Sequence, residues 1–278
     1  MTLTEFMQEI EKVGTQPDCE NYFRGHADVK FELKPSIYRD GLIRNEDKIF
    51  KEAIVRTPHE FQHHRSTCEK LVKMQHYGIP TRLLDITSNP LVALFFACID
   101  HPESDGEVIF FQVPSKHIKY YDSDTISALS NIARRPASFE CDFSDMSSVK
   151  AFNKQYHMNY LHHDIKEEKP YFEKIINPYD MEDVFVVKAK LDNARILKQQ
   201  GLFMIFGIEA NKMNPATVPF EWVLNRTDRT LKLKIKHTDK QGILDQLNVN
   251  GINKSTLFPE IEYQGRHLID TYSMKPKK

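Results

Sequence analysis

An excess of charge of either sign is missing. Lys+Arg total 38 against 39 Asp+Glu, a formal net charge of −1. That balance argues against a protein coated in basic charge for nucleic acid and leaves room only for a local basic patch. Cysteine is scarce: Cys19, Cys68, Cys98 and Cys141 form no CxxC pair, and Cys98 falls in a strongly apolar stretch. This reads as reduced thiols in a cytosolic protein, not as a disulfide framework. Long apolar runs are lacking too. Residues 91–98 form one of the longest, far short of the roughly 20 residues that cross a bilayer. The opening MTLTEFMQEIEKVG is amphipathic and acidic, without the basic start and apolar core of a secretory signal. There is no internal repeat and no Gly/Ser-rich linker. What is present is an ordinary soluble composition, 40% apolar and 28% charged over 278 residues, enough for one large domain or two small ones.

The hydrophobic pattern predicts mixed structure. Leu3, Phe6, Met7, Ile10 and Val13 have helical spacing. Tyr22-Phe23-Arg24-Gly25-His26 reads as a short strand running into a charge and a glycine. Residues 46–76 look helical, with a start at Thr57-Pro58-His59-Glu60: Thr as cap, Pro at the first helical position, Glu three residues on. Gly78-Ile79-Pro80 breaks that pattern, and residues 81–85 read as a brief strand or extended turn. Ser88-Asn89-Pro90 starts a helix whose body, residues 91–99, is apolar on every face and so belongs at the centre of the fold. Residues 106–113, 184–187 and 201–208 read as buried strands. Residues 231–236 alternate and read as a half-exposed strand. Residues 114–169 read as helical pieces and loops, 193–200 as a short helix, and 238–247 as a helix with a Thr238/Gln241 capping box. Buried strands scattered along the whole chain predict one α+β domain.

Two polar clusters stand inside apolar sequence. One is Arg24, between Phe23 and Gly25. The other is the run from Gln75 to Pro90. Charges so close to core-forming segments are costly to bury unless paired or used. Arginine suits an anion, because its planar fork donates bidentate hydrogen bonds to carboxylate or phosphate, and glycine permits close approach of a ligand. The alternative for the second cluster is an Arg82–Asp85 structural ion pair, with Thr87 and Asn89 acting as caps.

The Phe23-Arg24-Gly25 tripeptide, the run QHYGIPTRLLDITSNPLVALFFA (75–97) and the Arg195…Gln200-Gly201-Leu202-Phe203 stretch resemble the FRG domain family, named for its Phe-Arg-Gly motif. Residues 251–262 resemble its terminal segment, so the resemblance spans roughly residues 15–270. Ile86 stands where the family often has Trp. The layout resembles, more remotely, the ADP-ribosyltransferase superfamily. That likeness implies a split, mostly antiparallel sheet wrapped by helices, and three motifs around NAD. Carried over, Arg24 takes the first position, and residues 81–87 with the 93–97 helix take the second. Gln200 takes the third, where such enzymes often carry Glu; Glu209 is the weaker candidate. The resemblance thus implies Arg24, Asp85 and Gln200 as catalytic residues, and Arg24, Gly25, Tyr77, Thr81, Arg82, Thr87 and Phe95 as the NAD-binding set. It also implies a toxin or phage-defence setting with a neutralising partner protein.

Two rival signals remain. His59-Glu60-Phe61-Gln62-His63 matches the H-E-x-x-H of zinc hydrolases. The match lies in a first helical turn where Glu60 already serves a cap, so no metal is expected. Arg226, Arg229, Lys232, Lys234 and Lys236 cluster near one strand. They read either as a phosphate-backbone contact or as lysines blunting a sheet edge. The expectation is an intracellular, NAD-consuming transferase acting on a macromolecule, with RNA or DNA ahead of protein and no membrane association. The alternative is a non-catalytic module that binds an anion at Arg24.

Overall fold

The computed structural model describes residues 1–14, 16–227, 231 and 233–272. Among these the chain is α+β, with one open seven-stranded sheet clasped by helices. The strands are β1 (Cys19–His26), β2 (Leu83–Thr87), β3 (Gly106–Pro114), β4 (Ile118–Tyr120), β5 (Val184–Lys188), β6 (Gly201–Phe206) and β7 (Lys234–Ile235). Their order is β4-β5-β6-β2-β1-β3-β7. The β4–β5 pair is parallel, and the other pairs are antiparallel.

The strength of the joints between strands is uneven. β1 pairs with β3 from Cys19 to His26, and β2 pairs with β6 along its whole length. Between them, β1 and β2 are paired at Phe23↔Thr87 alone. The packing respects that division. One face of the sheet is continuous: Tyr22, Ile86, Ile109, Val186, Met204 and Trp222 share one core. The other face carries two cores. Leu83, Phe185, Phe203 and Ile205 pack with the helices Thr67–His76, Asp124–Asn131 and Tyr156–Glu168. Phe23, Phe110 and Ile235 pack with Pro90–Cys98, Lys240–Val249 and Leu3–Glu11.

The Pro90–Cys98 helix is central, as its all-round apolarity requires. Asn89 caps it by accepting from the Leu91 and Val92 amides. It lies so close to the sheet that a Cβ on Gly25 would stand 2.0 Å from the Ala93 oxygen and 2.6 Å from the Ala97 nitrogen. The glycine of the Phe-Arg-Gly tripeptide therefore admits the helix, where the sequence suggested close approach of a ligand. The other end of this helix is held by Lys240. Its buried ammonium donates to the carbonyls of Ala27, Asp100 and His101 at 2.7, 3.0 and 2.8 Å.

Several boundaries differ from expectation. The strand expected at 81–85 runs over Leu83–Thr87, because its partner β6 is in register with those residues. Residues 114–169 contain β4, too short and too exposed to leave a periodic signal. Thr57 does not form a capping box. Its hydroxyl donates to the Ala53 carbonyl, and the helix after it is a single turn, Pro58–Phe61. Thr238 lies in a 3-10 turn ahead of the Lys240–Val249 helix and does not cap it. Of the residues expected to alternate, Leu231, Leu233 and Ile235 are buried and Lys234 and Lys236 exposed, and Lys232 lies outside the described residues. The strand itself, β7, is only two residues long at the edge of the sheet. Among the described residues no helix is long and apolar enough to cross a membrane. Four cysteines are free, and burial pushes the thiols of Cys68, Cys98 and Cys141 up to about 12.

Candidate functional site

Where β1 and β2 part, the two cores on the helix-covered face are separated by a cavity of about 310 Å³. That is the lower end of the range for small-molecule sites, about 300–1,000 Å³. Val72, Ile196 and Phe203 line it from one core, and Val92, Ala93 and Phe96 from the other. Its polar lining is rich in cations. Arg24, Arg39 and Arg195 face it along with His26, His76 and His101, against two carboxylates, Asp85 and Asp100.

Arg24 is half-buried on β1. One terminal nitrogen, Nη1, donates to the main-chain carbonyl of Asp85 across the gap between the strands, and Nε donates to His26 Nε2 at 3.2 Å. A guanidinium only donates, so His26 must present a lone pair at Nε2 and carry its proton on Nδ1. Nδ1 stands 3.4 Å from Glu107 Oε1. Burial lowers the pKa of Arg24, Asp85 opposes that shift, and Arg39 adds to it. Among the described residues no carboxylate lies at ion-pair distance from this guanidinium. A desolvated cation held by a carbonyl and a neutral imidazole retains unspent attraction for an anion.

Asp85 is exposed and fixed in place. Its Oδ2 accepts from Gln75 Nε2 at 2.7 Å, and Gln75 Oε1 accepts from the Thr81 hydroxyl at 2.7 Å. Thr87 lines the cavity, and its hydroxyl donates to the Gln199 carbonyl at 2.7 Å, tying β2 to the Ala194–Gln199 helix. The structure thus brings Arg24, Gly25, Asp85 and Thr87 together as the sequence suggested.

The other expected site residues lie elsewhere. Arg82 is fully buried and faces away from the cavity. Its Nε and Nη2 grip Glu46 at 3.0 and 2.5 Å, and Lys212 Nζ stands 2.9 Å from the same carboxylate. The ion pair suspected between Arg82 and Asp85 is therefore replaced by one with Glu46, a partner remote in sequence. Thr81 acts one step back, through Gln75. Tyr77 is 61% exposed on the outer end of its helix, with Lys73 over its ring. Phe95 is core at 2% exposure, and its neighbour Phe96 faces the cavity. A helix apolar on all sides gives no sequence signal for choosing between them. Gln200 is exposed in a left-handed conformation (φ 46°) as the helix C-cap, and Gln199 lines the cavity in its place. Glu209 lies beyond the end of β6 and accepts from Thr217.

The sequence reading did not single out Arg39, Gln75, His76, Phe96, His101 or Gln199. Arg39 and His101 sit in irregular segments with no periodicity to mark them. Gln75 and His76 open the second polar run and end a helix, and nothing in the sequence sets them apart from the rest of that run.

The rival signals resolve as follows. Glu60 pairs with Lys73 at 2.9 Å, and His59 Nδ1 bonds Gln62. Among the described residues no group of three His, Cys, Asp or Glu is placed to hold a metal ion. Of the basic cluster, Arg229, Lys232 and the side chain of Arg226 lie outside the described residues. Lys234 and Lys236 are exposed at the sheet edge.

In comparison with known proteins, no curated protein and no solved structure matches the chain. A family model described as the FRG domain matches residues 20–106. That span holds β1 from its second residue, β2, the Pro90–Cys98 helix and the first residue of β3. It supplies the Arg24 wall of the cavity, while Arg195, Gln199 and Phe203 come from outside it. The chain therefore carries an FRG domain, matched over residues 20–106, whose Phe23-Arg24-Gly25 signature places an arginine in the cavity and a glycine under the central helix.

Proposed function

We propose that the cavity binds NAD and that the protein is an ADP-ribosyltransferase-like enzyme acting on a macromolecule. The observation that carries this reading is Arg24: a desolvated guanidinium without a carboxylate partner among the described residues, at the weakly paired β1–β2 joint of the single sheet. A pyrophosphate is the anion that such a fork grips bidentately. Arg39, exposed at the mouth, adds a second positive charge. The cavity takes the nicotinamide ribose half of the molecule, and the remainder leaves past Arg39 and Asp85.

The chemistry follows from charge. The C1′–nitrogen bond of NAD breaks, and its electron pair leaves with nicotinamide. The ribose gains oxocarbenium character, and the acceptor's heteroatom bonds C1′ as it loses its proton. Asp85, locked by Gln75, is the carboxylate that orients the ribose hydroxyls and offsets the positive charge growing on the sugar. The exposed Lys234 and Lys236 favour a nucleic-acid acceptor over a protein one.

The test is transfer of label from NAD to purified RNA, DNA or protein, with Arg24→Ala alongside. Transfer by the wild type that the variant loses supports the reading; wild-type protein that neither transfers nor binds NAD ends it. One observation favours a second reading, a non-catalytic anion-binding module. Among the described residues the cavity lining has no glutamate, and the Asp85 carboxylate is already engaged by Gln75. NAD binding without transfer to any acceptor, lost in Arg24→Ala, is the outcome that selects it.

A further inference from the structure

A segment far along the chain packs behind residues that line the cavity. The Leu257 carbonyl accepts from Gln199 Nε2 at 3.1 Å. The Phe258 ring lies under the Arg195 guanidinium at 4.6 Å and meets Phe96 edge-on at 6.1 Å. Two residues on, Glu260 turns its side chain inward. Both carboxylate oxygens are shut off from solvent and accept no hydrogen bond among the described residues. Carboxylate oxygens closed to water are costly to leave without a partner. Among the described residues the ion-pair contact of this side chain is with His76, whose Nε2 stands 3.3 Å from Glu260 Oε1. His76 lines the cavity.

We propose that His76 and Glu260 form a carboxylate–imidazole pair. In it His76 is the general base that removes the proton from the acceptor's nucleophile, and Glu260 is the positioning residue that fixes the imidazole. The proposal rests on the ADP-ribosyl-transfer reading of the cavity. Glu260 holds the proton of His76 on Nε2 and leaves the Nδ1 lone pair free, the logic by which a buried carboxylate sets the tautomer of a catalytic histidine. As the C1′–nitrogen bond breaks and its electrons leave with nicotinamide, the acceptor's lone pair bonds C1′. The acceptor's proton passes to His76 Nδ1, and solvent later removes it.

The surroundings suit a base that is neutral before the reaction. Burial lowers the imidazole's pKa, Arg195 lowers it further, Glu260 opposes, and Lys73 adds to the lowering. The Tyr77 ring meets His76 edge-on at 4.8 Å. Glu260 then stabilises the imidazolium that forms as the proton arrives.

The experiment has two arms on the full chain. In the first, histidine NMR titration follows His76 in wild type and in Glu260→Gln. Loss of the carboxylate is expected to move its midpoint lower, and an unmoved midpoint overturns the pairing whether or not the protein transfers anything. In the second arm, His76→Asn is expected to lose about 10²-fold in kcat, the lower end of what acid–base catalysis contributes, with KM for NAD unchanged. Glu260→Gln is expected to lose less and to shift the rising limb of the pH–rate profile toward acid, with Glu260→Asp restoring part of the rate. Glu209→Gln serves as the control and keeps full rate. Unchanged kcat and pH profile in both His76→Asn and Glu260→Gln, with NAD still bound, sinks the catalytic role. Loss of NAD binding in the wild type points instead to failure of the ADP-ribosyl-transfer reading, and the first arm still decides the pair.

Discussion

Arg24, half-buried, and Arg82, fully buried, illustrate two uses of a guanidinium set among core residues. Arg82 is bidentate on Glu46, with Lys212 sharing the carboxylate. Desolvation works to raise the pKa of Glu46, but Arg82 and Lys212 overcome it and leave it lowered. Its contribution to stability is therefore present above the ordinary carboxylate value and lost as pH falls through the native one. Glu46→Gln leaves two buried cations without compensation and is expected to cost about 3–5 kcal/mol in urea denaturation. Lys212→Met leaves the Arg82–Glu46 fork intact and is expected to cost less. Burial drives Lys212 down to about 8 from the ordinary 10.5, with Glu46 opposing and Arg82 adding to the fall. Between those values the unfolded chain holds a proton that the native state has released, so this group makes stability rise with pH. Wild type should gain on Lys212→Met across that window, read as the difference in urea midpoints. Arg24 is the converse case, since its partners are a carbonyl and an imidazole. If the cavity binds NAD as proposed, Arg24→Met removes a desolvated charge that grips the anion, and is expected to raise thermal stability by up to about 1 kcal/mol while abolishing NAD binding. A fall in stability would mark Arg24 as structural.

At the scale of elements, the decisive contact is the Pro90–Cys98 helix against β1 and β3. Gly25 and Gly106 admit its backbone: a Cβ on Gly106 would lie 2.4 Å from the Ala97 oxygen. The atoms met are main chain, which cannot rotate aside. Gly25→Ala is expected to cost about 3 kcal/mol, the upper part of the overpacking range, measured as a drop in urea midpoint with unchanged slope. Its effect on NAD binding should follow from misplaced strands, since the Gly25 side-chain position points at the helix. Lys240 seals the other end of the same helix. Replacing it with Met removes the donor to three carbonyls and is expected to cost about 1–3 kcal/mol.

For the whole molecule, the weak β1–β2 joint and the seam between two cores coincide, and the cavity occupies both. A ligand seated there touches both halves of the sheet. By mass action, NAD at a hundred times its Kd should stabilise the fold by about 2.7 kcal/mol. Hydrogen exchange should slow in β1, β2 and the Ala194–Gln199 helix together. Protection confined to one half, or equal protection in Arg24→Ala, would place the ligand elsewhere.

Local pattern made much of this protein legible in advance. The all-apolar 91–99 run dictated a central helix, because no face of it tolerates water. Asn89-Pro90 fixed where that helix begins, and the strands at 106–113 and 184–187 announced themselves by apolar continuity. Arg24 stood out because a charge beside core-forming residues requires a purpose. Tertiary structure decided the rest. Arg82 and Arg24 look alike in sequence, and only the arrival of Glu46, 36 positions away, makes one structural while the other faces a cavity. Phe95 and Phe96, or Gln199 and Gln200, differ by one step around a helix or across its cap, a rotation that no apolar count resolves. The carboxylate of Glu260 meets His76 because the chain returns to pack Phe258 on Arg195. Periodicity reports which side of an element is buried; which distant groups share the burial depends on how the elements pack.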